Sequence, residues 1–112
     1  MIERVDRPLT RRALVVDDEL AQPTTAGGRS VRALVEELRA RGMDVVEAMS
    51  LQDGVATVGS NAAIHIILVN WTLGKNDKRS HGHCTDLLRA VRKHNAIIPI
   101  FLMADRKRWP AR

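Results

Sequence analysis

Side chains that could do chemistry follow two apolar, strand-like runs of the sequence. Residues 17–19 read Asp-Asp-Glu, and Asn70 ends a longer apolar run further along the chain. Paired carboxylates at the end of a buried strand can hold a divalent cation such as Mg²⁺, which prefers oxygen ligands. Asp17 and Asp18 are therefore weak metal candidates, because no third carboxylate joins them and capping of the strand end accounts for them equally well.

A second polar group is the segment His81-Gly82-His83-Cys84. Imidazole and thiolate are good zinc ligands, but two histidines so spaced at a helix entrance point in different directions, and no second ligand pair follows at zinc spacing. His65 lies inside an apolar run and is expected to be a hydrogen-bonded core or edge residue. The chain also lacks a nucleophile elbow and a glycine-rich phosphate loop, so we predict no catalytic, cofactor-binding or metal-binding residue.

The apolar periodicity predicts the elements that position these groups. Unbroken apolar runs indicate strands buried on both faces, and apolar residues at i, i+3, i+4 and i+7 indicate amphipathic helices. The predicted strands are 13–16, 44–48, 64–69 and 97–103, and the strand at 64–69 is expected to be central in the sheet. The predicted helices are one at 31–38, which Gly42 is placed to end, one that begins after a Ser50 cap, and one at 84–91. Strictly alternating strands and helices favour a parallel sheet with helices on both faces, which is a three-layer α/β fold.

Domain boundaries follow from where this pattern begins and stops. We expect a flexible segment at 1–11, one domain at 12–106, and a basic tail at 107–112 that marks a truncation before a last strand and helix. Loss of those elements would expose the fourth strand, so we expect its apolar residues to contact another copy of the chain, together with Trp109. These residues are Ile98, Ile100, Phe101 and Leu102.

Composition excludes several classes of protein. The net charge of +5 is concentrated at the two termini, and only 3% of the residues are aromatic, so the chain lacks the stacking platforms of a nucleic-acid reader. Cys84 is the only cysteine, which indicates a reducing compartment. The charged N-terminus and the absence of a long apolar run predict neither a signal peptide nor a membrane span. We expect a cytoplasmic protein with no nucleic-acid or membrane partner.

The acidic strand end resembles the receiver domain of response regulators, in which an acidic pair binds magnesium and the third strand ends in a phosphorylated aspartate. The sequence LVVDDE at 14–19 fits that pattern, and the resemblance implies a flavodoxin- or receiver-like fold. Asn70 stands at the phosphoacceptor position, and an amide cannot form an acyl phosphate. Met103 and Ala104 replace the receiver hydroxyl position. A degenerate receiver that acts as a protein-interaction module is therefore the alternative interpretation.

A more specific resemblance covers about residues 12–106 and rests on VVEAMSLQDG at 45–54, SNAAI at 60–64 and IPIFLMADR at 98–106. These strings are similar to the N-terminal "wing" domain of the inducible Orn/Lys/Arg decarboxylases. The resemblance implies a non-catalytic domain that helps a pyridoxal-phosphate enzyme assemble into decamers. It also implies that the parent enzyme decarboxylates a basic amino acid in acid resistance. The family's Schiff-base lysine lies in a Ser-x-His-Lys context, which none of the four lysines shares: Lys75, Lys78, Lys93 and Lys107.

Overall fold

The computed structural model describes residues 10–60, 63–70, 84–94 and 97–103 of the 112-residue chain. Strands and helices alternate along these residues. They are β1 (Arg12–Val16), a 3₁₀ turn (Asp18–Ala21), α1 (Ala26–Ala40), β2 (Asp44–Ala48), α2 (Leu51–Gly59), β3 (Ile66–Asn70), α3 (Cys84–His94) and β4 (Ile100–Met103). No helix in these ranges is both long and apolar enough to cross a membrane.

The four strands form one parallel sheet in the order β2-β1-β3-β4. This confirms the predicted parallel α/β fold and the interior position of β3. Residues 13–16 of β1 are completely buried, as expected for a strand that is covered on both faces. Val16 pairs with Val69 and with Ala48, so the ends of three strands meet at one edge of the sheet.

Two apolar clusters pack on opposite faces of the sheet. One joins Val31 and Val35 of α1 to Ala13 and Val15 of β1. The other joins α2 and α3 to the opposite face, and Leu87 at its centre has no exposed surface. Because side chains alternate between faces along each strand, β1 supplies both clusters and the molecule has three layers.

Local sequence accounts for the helix boundaries. Thr25 and Ser50 cap the amino ends of α1 and α2, since their hydroxyl oxygens accept the amide hydrogens of Gly28 and Asp53 at 2.9 and 3.0 Å. Gly42 has φ of +90°, a value that L-residues rarely adopt, and it stops the chain from continuing α1. The predicted end of α1 at Gly42 and the predicted Ser50 cap are both confirmed.

The sequence patterns placed the beginnings of two strands too early. β3 begins at Ile66 rather than at residue 64. His65, just before the strand, is exposed, and its side chain rather than its backbone accepts the Arg12 amide hydrogen, at Nδ1 and 2.9 Å. β4 begins at Ile100, and Ile98 before it is only 6% exposed because it packs in the cluster around Leu87. The expectation that Ile98 is exposed is therefore wrong.

Candidate functional site

The carboxyl edge of the sheet brings Asp17 and Asn70 into contact although 53 residues separate them. Asp17 follows the last residue of β1, and Asn70 is the last residue of β3. The parallel pairing of Val16 with Val69 places the two polar side chains next to each other. This edge is where open α/β sheets hold their functional groups.

Three hydrogen bonds hold Asp17 in place. The Asn70 amide donates from Nδ2 to Asp17 Oδ1 at 3.1 Å, and the Glu19 amide hydrogen is donated to the same oxygen at 2.9 Å. The Asp17 amide donates to the Ala48 carbonyl at 2.9 Å. Asp17 and Asn70 are only 5% and 8% exposed. One aspartate thus ties together the ends of β1, β2 and β3 and starts the 3₁₀ turn.

Burial changes the pKa of the Asp17 carboxyl group. Desolvation raises the pKa of Asp17 above its ordinary value, and the hydrogen bonds from Glu19 and Asn70 oppose that rise. The neighbouring Asp18 raises the pKa further through its charge. The oxygens of two adjacent carboxylates are ligands that a divalent cation could share, but Asp18 is exposed whereas Asp17 is buried.

The chemistry open to this edge is limited. An amide is neither a nucleophile toward phosphorus nor an anionic metal ligand, so Asn70 cannot accept a phosphoryl group. Within the described residues no three His, Cys, Asp or Glu side chains converge as a metal site would require. Of the predicted metal candidates, Asp17 is buried and accepts two hydrogen bonds, and Asp18 next to it is exposed. The histidines of the 81–84 segment lie outside the described residues.

An ion-pair cluster on β2 escaped the sequence analysis. Glu47 accepts two hydrogen bonds from the Arg32 guanidinium, at 2.8 and 2.9 Å, and lies 3.1 Å from Arg39 Nη1. These contacts lower the pKa of Glu47, mainly through the Arg32 hydrogen bonds. The spacing of two arginines by seven residues on one helix face is the signal that could have pointed to a common partner.

An exposed apolar surface lies on β4 and just before it. Phe101 is 54% exposed and Leu102 is 48% exposed, on opposite faces of the strand, and Ile97 is 86% exposed. Exposure of Phe101 and Leu102 agrees with the sequence expectation. Large apolar side chains clustered at a sheet edge are typical of contact surfaces rather than of catalytic sites.

This architecture defines the class of the protein as a receiver-like α/β domain. The response regulator receiver protein from Pseudomonas putida superimposes with a TM-score of 0.63 and 22% identity, over 87% of this chain and 69% of that one. The receiver domain of a Francisella response regulator gives 0.62 and 16%, over 85% of this chain and 66% of that one. At these identities the likeness concerns the fold.

Sequence comparison then gives the family. Residues 26–110 match the family described as "Orn/Lys/Arg decarboxylase, N-terminal domain", and the chain belongs to it. The biodegradative arginine decarboxylase of Escherichia coli K12 is 26% identical over 97 residues, which cover 87% of this chain but 13% of that enzyme. The predicted family is therefore confirmed, and the chain corresponds to a small part of its relative's length.

Proposed function

We propose that this chain is the non-catalytic N-terminal domain of a pyridoxal-phosphate-dependent decarboxylase of basic amino acids, and that it serves assembly of the enzyme. The observation that carries the proposal is the contrast between two surfaces. The polar side chains of Asp17 and Asn70 are buried and hydrogen-bonded to each other, whereas β4 exposes large apolar side chains. A domain so built is suited to binding another protein surface.

The family supports the identity of the parent protein. The relative's name specifies an arginine decarboxylase, so a basic amino acid, with arginine first, is the proposed substrate of the whole polypeptide, which we place in the cytoplasm. The described residues do not fit pyridoxal phosphate, which needs a protected lysine for its Schiff base. Lys93, the one lysine among them, is exposed in the last turn of α3.

Cofactor binding gives a direct test of the non-catalytic assignment. The 112-residue chain is incubated with pyridoxal phosphate, treated with borohydride and weighed by intact mass spectrometry, with a known pyridoxal-phosphate enzyme as the positive control. We expect no stoichiometric adduct. A single lysine modified in every molecule would contradict the proposal.

The assembly role is tested in the complete natural polypeptide that carries this domain. Removal of residues 1–112 should reduce the size of the assembly in sedimentation while decarboxylation of arginine, lysine or ornithine persists. Retained activity is the control that the remainder is folded. An assembly of unchanged size would refute the assembly role, and loss of the chemistry with intact folding would refute the non-catalytic assignment.

The alternative function, a degenerate receiver that acts as an interaction module, is favoured by the position of Asp17 beside the end of β3. The rest of the polypeptide separates the two functions, since a decarboxylase continues into a large pyridoxal-phosphate domain and a response regulator into a short output module. Beryllofluoride with magnesium, which mimics aspartyl phosphate, tests whether the sheet retains the chemistry of a receiver. We expect the amide NMR spectrum to stay unchanged, because Asn70 offers no carboxylate. Shifts centred on the ends of β1 and β3 would favour a signalling receiver.

A further inference from the structure

A histidine side chain takes part in backbone pairing at the amino end of the sheet. His65 donates its amide hydrogen to the Arg12 carbonyl at 2.8 Å, and its Nδ1 accepts the Arg12 amide hydrogen at 2.9 Å. Both backbone groups of Arg12 are therefore bound by one residue. This double contact joins the first residue of β1 to the chain just before β3.

The course of the chain around His65 explains why its side chain reaches β1. Ile64 packs in the cluster around Leu87, whereas Ile66 packs in the cluster on the α1 face. Residues two apart in a regular strand lie on the same face, so the regular alternation is interrupted at His65. Its side chain bonds to the neighbouring strand instead of packing on either face of the sheet.

The contact joins the two interior strands of the described sheet. β1 has β2 on its other side, and β3 has β4 on its other side. The contact therefore does not depend on what lies beyond either outer strand. His65 is nevertheless exposed, so its ring exchanges protons with the solvent.

Only the neutral ring can make this contact. A neutral imidazole has one donor and one acceptor nitrogen, and acceptance at Nδ1 assigns the proton to Nε2. Protonation adds a hydrogen to Nδ1, and the N–H groups of His65 and Arg12 would then point at each other. Histidine side chains gain this proton within a range of about pH 5 to 8.

We propose that His65 is a pH-sensitive latch for the start of β1. The neutral ring holds the Arg12 amide to β3, and protonation of the ring releases it. The contact is thus present above the pH range in which the ring titrates and is lost as the pH falls through that range. Release frees the first residue of β1 together with residues 10 and 11, while the completely buried residues 13–16 stay in the sheet.

Charged groups at this end of the sheet do not compensate for the lost bond. Arg12 pairs with Asp44 of β2 at 2.8 Å, and Glu37 of α1 pairs with Arg41 at 2.7 Å. The last turns of the helices lie at this end because each helix runs back from the carboxyl ends of the strands. The remaining charged or titratable groups of these turns and of the residue before β1 are Arg11, Arg39, Arg92, Lys93 and His94. Among these described groups, both carboxylates already have an arginine partner.

Scalar coupling across the hydrogen bond tests the latch directly by NMR. In the isotopically labelled 112-residue chain, a coupling between the Arg12 amide nitrogen and His65 Nδ1 should be present at about pH 8 and absent at about pH 5, the limits of the histidine range. The loss should follow the titration of the His65 ring. His94→Asn is the matched control, because His94 is an exposed histidine in the last turn of α3 and its removal should leave this response unchanged. A coupling that persists at the lower pH, or is absent at the higher one, would overturn the latch.

Two substitutions separate the hydrogen bond from other effects of the histidine. His65→Asn keeps an acceptor, since its amide oxygen is as many bonds from the backbone as Nδ1, but it does not titrate. His65→Leu removes the acceptor. Between about pH 8 and pH 5, the protection of the Arg12 amide against hydrogen exchange should fall about three- to tenfold in the wild type, as expected for one ordinary hydrogen bond. Protection should stay constant in His65→Asn and be low at both pH values in His65→Leu.

His65→Asn carries the decisive outcome. If it loses protection of the Arg12 amide with falling pH as the wild type does, the latch is wrong, because its acceptor has no proton to gain. Circular dichroism checks that each variant is folded, and His65→Asn together with the coupling decides the matter even if His65→Leu does not fold. These measurements concern a contact within one copy of the chain, so their failure would leave the proposed assembly role untouched.

Discussion

Asn70→Asp is the most informative perturbation of the buried edge. In the wild type, the Asn70 amide donates to Asp17 Oδ1 at 3.1 Å, and both side chains are almost fully buried. The variant replaces the donor by a second carboxylate, so a hydrogen bond is lost and two like charges meet. It also restores the residue type that a receiver has at this position.

The magnitude follows from these contacts. Loss of a hydrogen bond to a charged acceptor costs about 1.5 to 3 kcal/mol. Two full charges at this separation repel by about 5 kcal/mol at an effective dielectric constant of about 20. Uptake of a proton limits that cost, because holding a carboxyl of ordinary pKa neutral at pH 7 requires about 4 kcal/mol. Rotation of side chains and entry of water at the sheet edge relieve part of the strain, and we expect a net loss of about 3 to 5 kcal/mol.

The pH dependence has a definite sign. Mutual repulsion raises the pKa of one carboxyl in the folded variant above its unfolded value, so the folded state binds that proton more tightly. The stability of the variant is therefore present at acid pH and is lost as the pH rises through the folded pKa. At pH 4 the protonated carboxyl can donate to Asp17, and the deficit against wild type should shrink to a fraction of its value at pH 7.

Urea unfolding followed by circular dichroism, in EDTA and in millimolar magnesium, measures these effects. Magnesium should restore part of the lost stability by binding between the two carboxylates. Asn70→Ala is the matched control: it loses the hydrogen bond without adding charge. Its deficit should not respond to magnesium and should shrink only as Asp17 itself takes up a proton, because the Asn70 hydrogen bond favours the charged form of Asp17. If Asn70→Asp lies within about 1 kcal/mol of wild type at pH 7 in EDTA, the two side chains are not in the described contact.

Three further substitutions probe the rest of the fold. Glu47→Gln should cost about 1 kcal/mol at neutral pH. Because Arg32 lowers the Glu47 pKa, that difference should vanish as the pH falls below about 4, as urea unfolding at several pH values can show. Gly28→Ala should lower the melting temperature sharply in thermal unfolding, because a Cβ there overlaps the Gln22 carbonyl, and a wild-type melting temperature would contradict that packing. Leu87→Ala should cost about 2 to 5 kcal/mol in urea unfolding, since Leu87 is completely buried; a loss below about 1 kcal/mol would place it outside the core.

The carboxyl end of the sheet and its outer strand β4 differ in how far their side chains are buried. At the carboxyl edge, an amide in contact with Asp17 satisfies a buried carboxylate that would otherwise need a cation. At β4, the large apolar side chains of Phe101 and Leu102 remain exposed. The carboxyl end of the sheet is thus stabilised internally, whereas apolar surface on β4 stays exposed.

Local sequence determined the elements and their order. The bounds of β2 at Asp44–Ala48 agree with the prediction residue for residue, and the Ser50 cap and the stop at Gly42 were readable because each depends on residues within a few positions. The alternation of strands and helices was sufficient to predict a parallel sheet, since such connections are strongly constrained. The strings at 45–54 and 98–106 also indicated the family that the comparison confirms.

Only the tertiary structure decided which distant groups meet. The contact between Asp17 and Asn70 depends on the parallel register of β1 and β3, and the pairing of Arg32 with Glu47 depends on how α1 lies across β2. Ile98 and Phe101 are both apolar and nearly adjacent, yet one is buried beside Leu87 and the other is half exposed. The physical reason is that local periodicity reports which side of an element is apolar, whereas burial and pairing depend on what packs against that side from elsewhere in the chain.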